Sequence, residues 1–179
     1  MDITLNYFEL FQLSVSCEID SRQLALRYKA LHRAIHPDRY AADNTDQHQR
    51  LSLQYAAYVN EAYDTLKTPL RRFIYLLELA GRPVDMECNT SMEPDFLMEQ
   101  MALRESIAEL KMMAKPTEQL QYLMSQINDK LSVLSAEFTQ LWHKNQFELL
   151  DQAERVVRKM QFMVKLTAEL EQIESNLLD

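Results

Sequence analysis

The chain has 179 residues, a single glycine and a formal net charge of −8. A chain of this length with average composition would carry roughly a dozen glycines. Glycine supplies the positive-φ turns of hairpins and the backbone loops that cradle phosphates, so its scarcity argues against a Rossmann domain, a P-loop NTPase, a barrel or a sandwich. With 47% hydrophobic and 26% charged residues, the composition is that of a folded chain, long enough for one medium domain or two small ones. The charge is uneven. Residues 1–80 hold nine Lys/Arg against ten Asp/Glu, and residues 81–179 hold ten against seventeen. The halves are therefore expected to meet different partners, and the acidic balance argues against nucleic acid as one of them. No apolar run nears the ~20 residues of a membrane span, and Met1–Thr4 lacks the basic and apolar segments of a secretory signal. A cytoplasmic chain with no membrane partner is the expectation. Cys17 and Cys88 form no CxxC pair, which fits two unpaired thiols in a reducing compartment, with no metal and no cofactor.

Prolines at positions 37, 69, 83, 94 and 116 punctuate a chain whose apolar spacing otherwise reads as helix. A short helix is expected near Tyr7–Leu10, a longer one from Ser21 to about Ile35, and a third from Asp46 to Lys67. In the second, Leu24, Tyr28, Leu31 and Ile35 form one stripe, and Arg22, Lys29 and Arg33 lie almost opposite it at ~100° per residue. Ala56, Val59, Tyr63 and Leu66 make the stripe of the third. Thr68-Pro69 suits the start of a fourth helix, about Leu70–Ala80, which stops at Gly81 with Pro83 beyond. Residues 82–94 have little periodicity and read as a linker. Three helices follow, at about 95–114, 117–143 and 145–177. In the middle one, Leu120, Met124, Ile127, Leu131, Leu134, Phe138 and Leu141 keep a sustained 4-3 rhythm, the seam of a small antiparallel bundle. The last has a looser seam through Leu149, Ala153, Val156, Met160, Met163 and Leu170, with Leu177 at its end.

Between Ser21 and Pro37 the second helix carries Arg22, Arg27, Lys29 and Arg33 and no acid. It runs into His36-Pro37-Asp38, where proline fixes φ and ends the helix, so that His36 and Asp38 are presented in a loop. The basic residues would steer an acidic partner surface and set its register. His32 and His36 are spaced as a metal pair would be, but no third ligand is near except the more distant His48, so no metal site is expected there.

These features resemble the J-domain family of co-chaperones. The Tyr7-Phe8-Glu9-Leu10-Phe11 start, the His36-Pro37-Asp38 loop and the Asn60-Glu61-Ala62-Tyr63 run carry the resemblance, over residues 1 to about 76. It implies docking onto a DnaK-like chaperone through His36, Pro37 and Asp38, supported by the basic helix face, and stimulation of that chaperone's ATP hydrolysis.

In the first helix of the second half, Phe96, Leu103, Ile107 and Leu110 fall within about 60° of one another and form a core stripe. Leu97, Met98 and Met101 lie roughly 100–200° away from it, beside Arg104 and Glu105. On the last helix, Phe162 is likewise off the seam. These residues are either buried against further helices or form an exposed patch for a partner, with methionine supplying adaptability; periodicity leaves both open. With Tyr75-Leu76-Leu77 before the linker and Phe96-Leu97-Met98-Glu99-Gln100 after it, the whole chain resembles the HscB family of iron–sulfur cluster biogenesis. What that resemblance implies is an all-α chain: an N-terminal J-domain built as a helical hairpin (1–76), a connecting helix end and linker (77–94), and a C-terminal three-helix bundle (95–179). It implies that the bundle binds an IscU-type scaffold protein through Leu97, Met98, Met101, Arg104, Glu105 and Phe162, and that the J-domain delivers it to a HscA-type chaperone. Arg39 departs from the family's usual lysine while keeping the charge, and Ala102 stands where some members carry an acid. No catalytic constellation is visible, and the chain is not expected to be an enzyme.

Overall fold

The computed structural model describes residues 4–34, 46–84, 93–113, 115–144 and 146–178, and all the regular structure in them is helical. The chain divides into two compact units, Met1–Gly81 and Arg82–Asp179. The stretch 77–94 straddles this division: Leu77 is buried in the first unit, and the last helix of that unit runs to Leu79. Ile35 and Cys88 lie outside the described residues.

The first unit contains α1 (Tyr7–Leu10), α2 (Ser21–Ala34), α3 (Asp46–Lys67) and α4 (Pro69–Leu79). So short a helix as α1 cannot stand on propensity; it is defined by its ends. Asn6 Oδ1 accepts the Glu9 N–H at 3.0 Å while the Glu9 carboxylate accepts the Asn6 N–H at 2.8 Å, a capping box. At the other end Gln12 adopts φ +52°, the only positive φ of a non-glycine residue among those described, and the Leu13 N–H turns back to the Phe8 carbonyl at 2.8 Å. The Arg27 guanidinium, reaching over from α2, donates to the carbonyls of both Phe11 and Gln12 and so holds this corner. Asp20 Oδ1 accepts the Arg22 N–H at 2.9 Å and begins α2.

Tyr28 fastens α2 to α3. Its hydroxyl donates to Asn60 Oδ1 at 3.0 Å, and its ring stacks on Tyr63 with centroids 4.1 Å apart. The core holds Phe8, Phe11, Leu24, Val59, Leu66, Phe73, Leu76 and Leu77. Arg72 on α4 crosses its edge, donating from Nε to the Cys17 carbonyl at 2.8 Å and from a terminal nitrogen to the Leu66 carbonyl at 2.6 Å. Burial pushes this guanidinium below its ordinary value, and its hydrogen bonds to the two carbonyls offset the cost of burying the charge. Tyr75 stacks on Tyr7 at 4.3 Å and accepts the Tyr7 N–H at 3.0 Å, tying α4 to the start of α1. Thr68 precedes Pro69 as expected but makes no side-chain cap.

The second unit contains α5 (Pro94–Leu110), α6 (Thr117–His143), a 3-10 turn (Phe147–Leu149) and α7 (Leu150–Leu178). Helix α5 stops four residues earlier than the periodicity suggests. Lys115-Pro116 lies just ahead, and the residue before a proline is pushed out of the α region, so Lys111–Met113 form a turn instead. Helix α7 likewise begins after the 3-10 turn rather than at residue 145. Its buried residues are Ala153, Val156, Val157, Met160, Met163, Leu166 and Leu170, whereas Leu177 is exposed. On α6 the buried set is Leu120, Leu123, Ile127, Leu134 and Phe138, with Met124, Leu131 and Leu141 half-buried. Leu123 and Val157 fall outside the expected seams because a helix with two neighbours buries a wider arc than a coiled-coil seam.

Gly81 takes φ +76° just past α4, and a Cβ there would meet nothing within 4 Å. Its cost on substitution is therefore backbone alone. Gly81→Ala should destabilise the first unit by about 1 kcal/mol, and Gln12→Gly should stabilise it by up to about 1 kcal/mol by relieving the same left-handed geometry. Urea unfolding of the two variants, followed by circular dichroism, should move the midpoint in opposite directions; a shift of the same sign in both would contradict this account.

Candidate partner-docking surfaces

In the first unit the four predicted basic residues do not behave alike. Arg22, Lys29 and Arg33 are exposed on α2, as expected of side chains opposite the Leu24–Leu31 stripe. Arg27 is half-buried, with its guanidinium committed to the Phe11 and Gln12 carbonyls. The helical angle could have separated it from the others: Arg27 lies only about 60° from the apolar stripe, not opposite it. His32 is exposed, with its ring 5.7 Å from that of Tyr28. His36, Pro37, Asp38 and Arg39 lie outside the described residues.

In the second unit α5 separates its apolar residues into two arcs. Phe96, Ile107 and Leu110 are buried, and Leu103 is half-buried. Leu97, Met98 and Met101 are 45%, 62% and 71% exposed. Arg104 and Glu105 are exposed on the same side of the helix. Phe162 on α7 meets this side of α5 through Arg104. It is half-buried, meets Phe96 edge-to-face at 5.9 Å, and lies under the Arg104 guanidinium at 5.5 Å. All six residues expected from the sequence thus belong to α5 and the adjoining part of α7.

Residues that sequence reasoning missed hold this arrangement in place. Lys159 sits 5.6 Å over the Phe96 ring and 2.6 Å from the Glu93 carboxylate, joining the start of α5 to α7. Lys130 on α6 pairs with Glu99 at 2.8 Å, and Lys111 with Glu169 at 2.7 Å. Near the start of α7, Glu154 takes two hydrogen bonds from Arg158 and one from Arg82, at 2.8–3.1 Å, and Arg82 also pairs with Asp151 at 2.7 Å. The Glu154/Arg158 spacing of four is visible in sequence; the partners 31 to 72 residues away are not. Among the described residues no group of three His, Cys, Asp or Glu side chains is placed to hold a metal ion, and no helix is long and apolar enough to cross a membrane.

A co-chaperone HscB homolog of Shewanella loihica is 39% identical over 173 residues, covering 97% of this chain and 99% of that protein. The chain belongs to the HscB co-chaperone family. A family model described as the HSCB C-terminal oligomerisation domain matches residues 92–171. Among solved structures, chaperone HscB from Vibrio cholerae matches with 35% identity and a TM-score of 0.81, covering 97% of this chain and 99% of that one. Human co-chaperone protein HscB matches with 25% identity and a TM-score of 0.86, covering 97% and 84%. Family membership carries a co-chaperone role in iron–sulfur cluster biogenesis and agrees with the all-helical architecture.

Burial pushes the Glu154 carboxyl up, but the hydrogen bonds from Arg158 and Arg82 outweigh it and hold the group below the ordinary carboxylate range. The folded chain therefore binds this proton less readily than the unfolded chain. The resulting stability is fully present above the unfolded value, about pH 4.3, and is lost as pH falls through the folded one. Trp142, the single tryptophan, stacks on Phe138 at 6.1 Å and reports on this unit alone. Urea unfolding followed by Trp142 fluorescence should show Glu154→Gln less stable than the parent at pH 7, with the gap closing on acidification. A gap that widens in acid would contradict the assignment.

Proposed function

We propose that the chain is an adaptor. The second unit holds an IscU-type iron–sulfur scaffold protein, and the first unit, as a J-domain, brings it to a HscA/DnaK-type chaperone and stimulates that partner's ATP hydrolysis. The observation that carries this is the exposed arc of Leu97, Met98 and Met101 on α5, bordered by Phe162, Arg104 and Glu105. Three large apolar side chains left in water beside charged neighbours suit a contact surface. In this reading Leu97, Met98, Met101 and Phe162 supply the apolar contact, and Arg104 and Glu105 fix its register. Arg104 also covers one face of Phe162, so it orients the ring as well as offering charge.

On the other unit, His36, Pro37 and Asp38 engage the chaperone while Arg22, Lys29 and Arg33 steer it. Arg27 contributes at most a share of its charge, since it holds the α1 corner. Joining the two units raises the local concentration of scaffold at the chaperone, with no new contact between those two partners needed. The iron–sulfur cluster is the scaffold's cargo, and the adaptor acts through its partner's ATPase.

A second reading has one observation in its favour: the family model matching residues 92–171 is described as an oligomerisation domain. In that reading a second copy of the chain covers the α5 arc, and the first unit serves a general DnaK-type chaperone.

His36→Gln should abolish stimulation of the chaperone's ATP turnover and leave scaffold binding unchanged. Leu97→Ala/Met101→Ala/Phe162→Ala should weaken scaffold binding by at least about tenfold, a modest fraction of what losing three anchor side chains can cost, with helicity retained by circular dichroism. Sedimentation separates the readings: a stable dimer that the triple substitution disperses favours oligomerisation, and a monomer that still binds the scaffold favours the adaptor. If the triple variant unfolds, the single Met101→Ala, at the most exposed of the three α5 positions, provides the binding test.

A further inference from the structure

We propose that Met98 and Met101 make the α5 surface sensitive to peroxide, so that oxidation of their thioethers to sulfoxides releases the scaffold partner. The proposal rests on the scaffold-binding reading above and adds a means of regulating it.

Two of the three exposed apolar side chains on the α5 arc are methionines, and they are more exposed than Leu97. At a spacing of three they are neighbours on one strip of the helix, so both thioethers would lie within a single contact. Solvent reaches them freely, whereas Met160 and Met163, on the inner side of α7, are 2% and 0% exposed. Reactivity of a thioether follows access, so the fold itself makes Met98 and Met101 accessible and protects Met160 and Met163. Leu97 and Phe162 offer no comparable chemistry, and about half of the apolar contact is therefore convertible.

The step needs only hydrogen peroxide or an organic hydroperoxide. A sulfur lone pair attacks one peroxide oxygen and the O–O bond breaks. A sulfur–oxygen bond forms, and the transferred oxygen gives its proton to the departing hydroxide or alkoxide. Sulfur loses two electrons to the peroxide, and water or an alcohol leaves. The product has a strong, well-hydrated acceptor in place of an apolar, polarizable atom. Docking would then have to strip water from that oxygen with no donor prepared for it. The exposed position on α5 means the sulfoxides need not disturb the core of the unit.

Met112, 89% exposed, provides an internal control. It lies beyond the end of α5, about 16 Å along the chain's helical rise from Met101, and should oxidise readily without bearing on the contact.

The experiment treats the full chain with graded hydrogen peroxide, maps added oxygen by peptide mass spectrometry, and titrates each sample with a purified IscU-type scaffold. Oxygen should appear at Met98, Met101 and Met112 well before Met160 and Met163. Scaffold affinity should fall roughly tenfold or more when both arc methionines are oxidised, a change expected from burying an unsatisfied polar group, with helicity unchanged. Methionine sulfoxide reductases should restore it. Met98→Leu/Met101→Leu lies in the contact and shifts the starting affinity, so the quantity read is the ratio of affinity before peroxide to that after it. This ratio should stay near one in that variant and be smaller in the milder single Met101→Leu than in the parent, while Met112→Leu should show the parent's full loss. Undiminished binding with both arc methionines oxidised, or an equal loss in the Met98→Leu/Met101→Leu variant, overturns the proposal. Absence of binding before any peroxide is added would instead overturn the scaffold reading itself, and this proposal with it.

Discussion

A helix packed against two neighbours can bury only part of its circumference, and the function read here depends on that limit. Helix α5 carries large apolar residues all round. Phe96, Ile107 and Leu110 take the inward arc, which leaves Leu97, Met98 and Met101 in water. Nothing intrinsic to leucine or methionine chose between the arcs. The inner arc is the buried one: Phe96 meets Phe162 of α7, and the ion pairs Glu93–Lys159, Glu99–Lys130 and Lys111–Glu169 join α5 and its two flanks to α6 and α7 in that same orientation. Exposed pairs of this kind contribute little stability one by one. They are compatible with one orientation of α5: a turn of about 100°, one residue's worth, would exchange a buried residue for an exposed one.

The pairings also give the direction of the helices. Along α5 the partners on α7 rise in step, from Glu93–Lys159 through Phe96–Phe162 to Lys111–Glu169. Helices α5 and α7 therefore run the same way, with α6 returning between them in sequence. This brings Phe162, 61 residues beyond Met101 in the chain, to the side of α5, where Arg104 covers its ring. A patch assembled from two parallel helices is held by both ends of the unit, and its shape does not depend on a loop.

In the first unit the same economy appears with arginine. Arg27 and Arg72 both spend their guanidinium groups on backbone carbonyls of irregular segments: Phe11 and Gln12 in one case, Cys17 and Leu66 in the other. A chain with one glycine has few ways to turn without strain, and Gln12 shows the consequence, a left-handed backbone in a residue with a Cβ. A rigid cation with several donors can gather the carbonyls such a turn leaves over. Positive charge in this unit thus serves two ends: Arg27 and Arg72 hold backbone turns, while Arg22, Lys29 and Arg33, like Lys67 and Arg71, are exposed to solvent.

Much of this was legible in the residues alone. Helix positions follow from apolar spacing and from proline, and α3 and α6 have the bounds their periodicity predicts. The split of α5 into two apolar faces is likewise a matter of 100° steps. Where the sequence was less informative, the cause was long-range. Periodicity showed that two faces existed on α5 but not which would be covered, since that depends on neighbours supplied by α6 and α7. It identified Arg27 as a charge but not as a partner of Phe11 and Gln12, because a side chain's choice between solvent and a carbonyl is made only when the α1 corner closes. The ends of α5 and α7 moved by four or five residues where Lys115-Pro116 and the Phe147–Leu149 turn overrode an otherwise continuous pattern. Local order determined which segments are helices and which residues each face carries; tertiary packing alone decided which face meets water, since burial is a property of pairs of elements and not of either one.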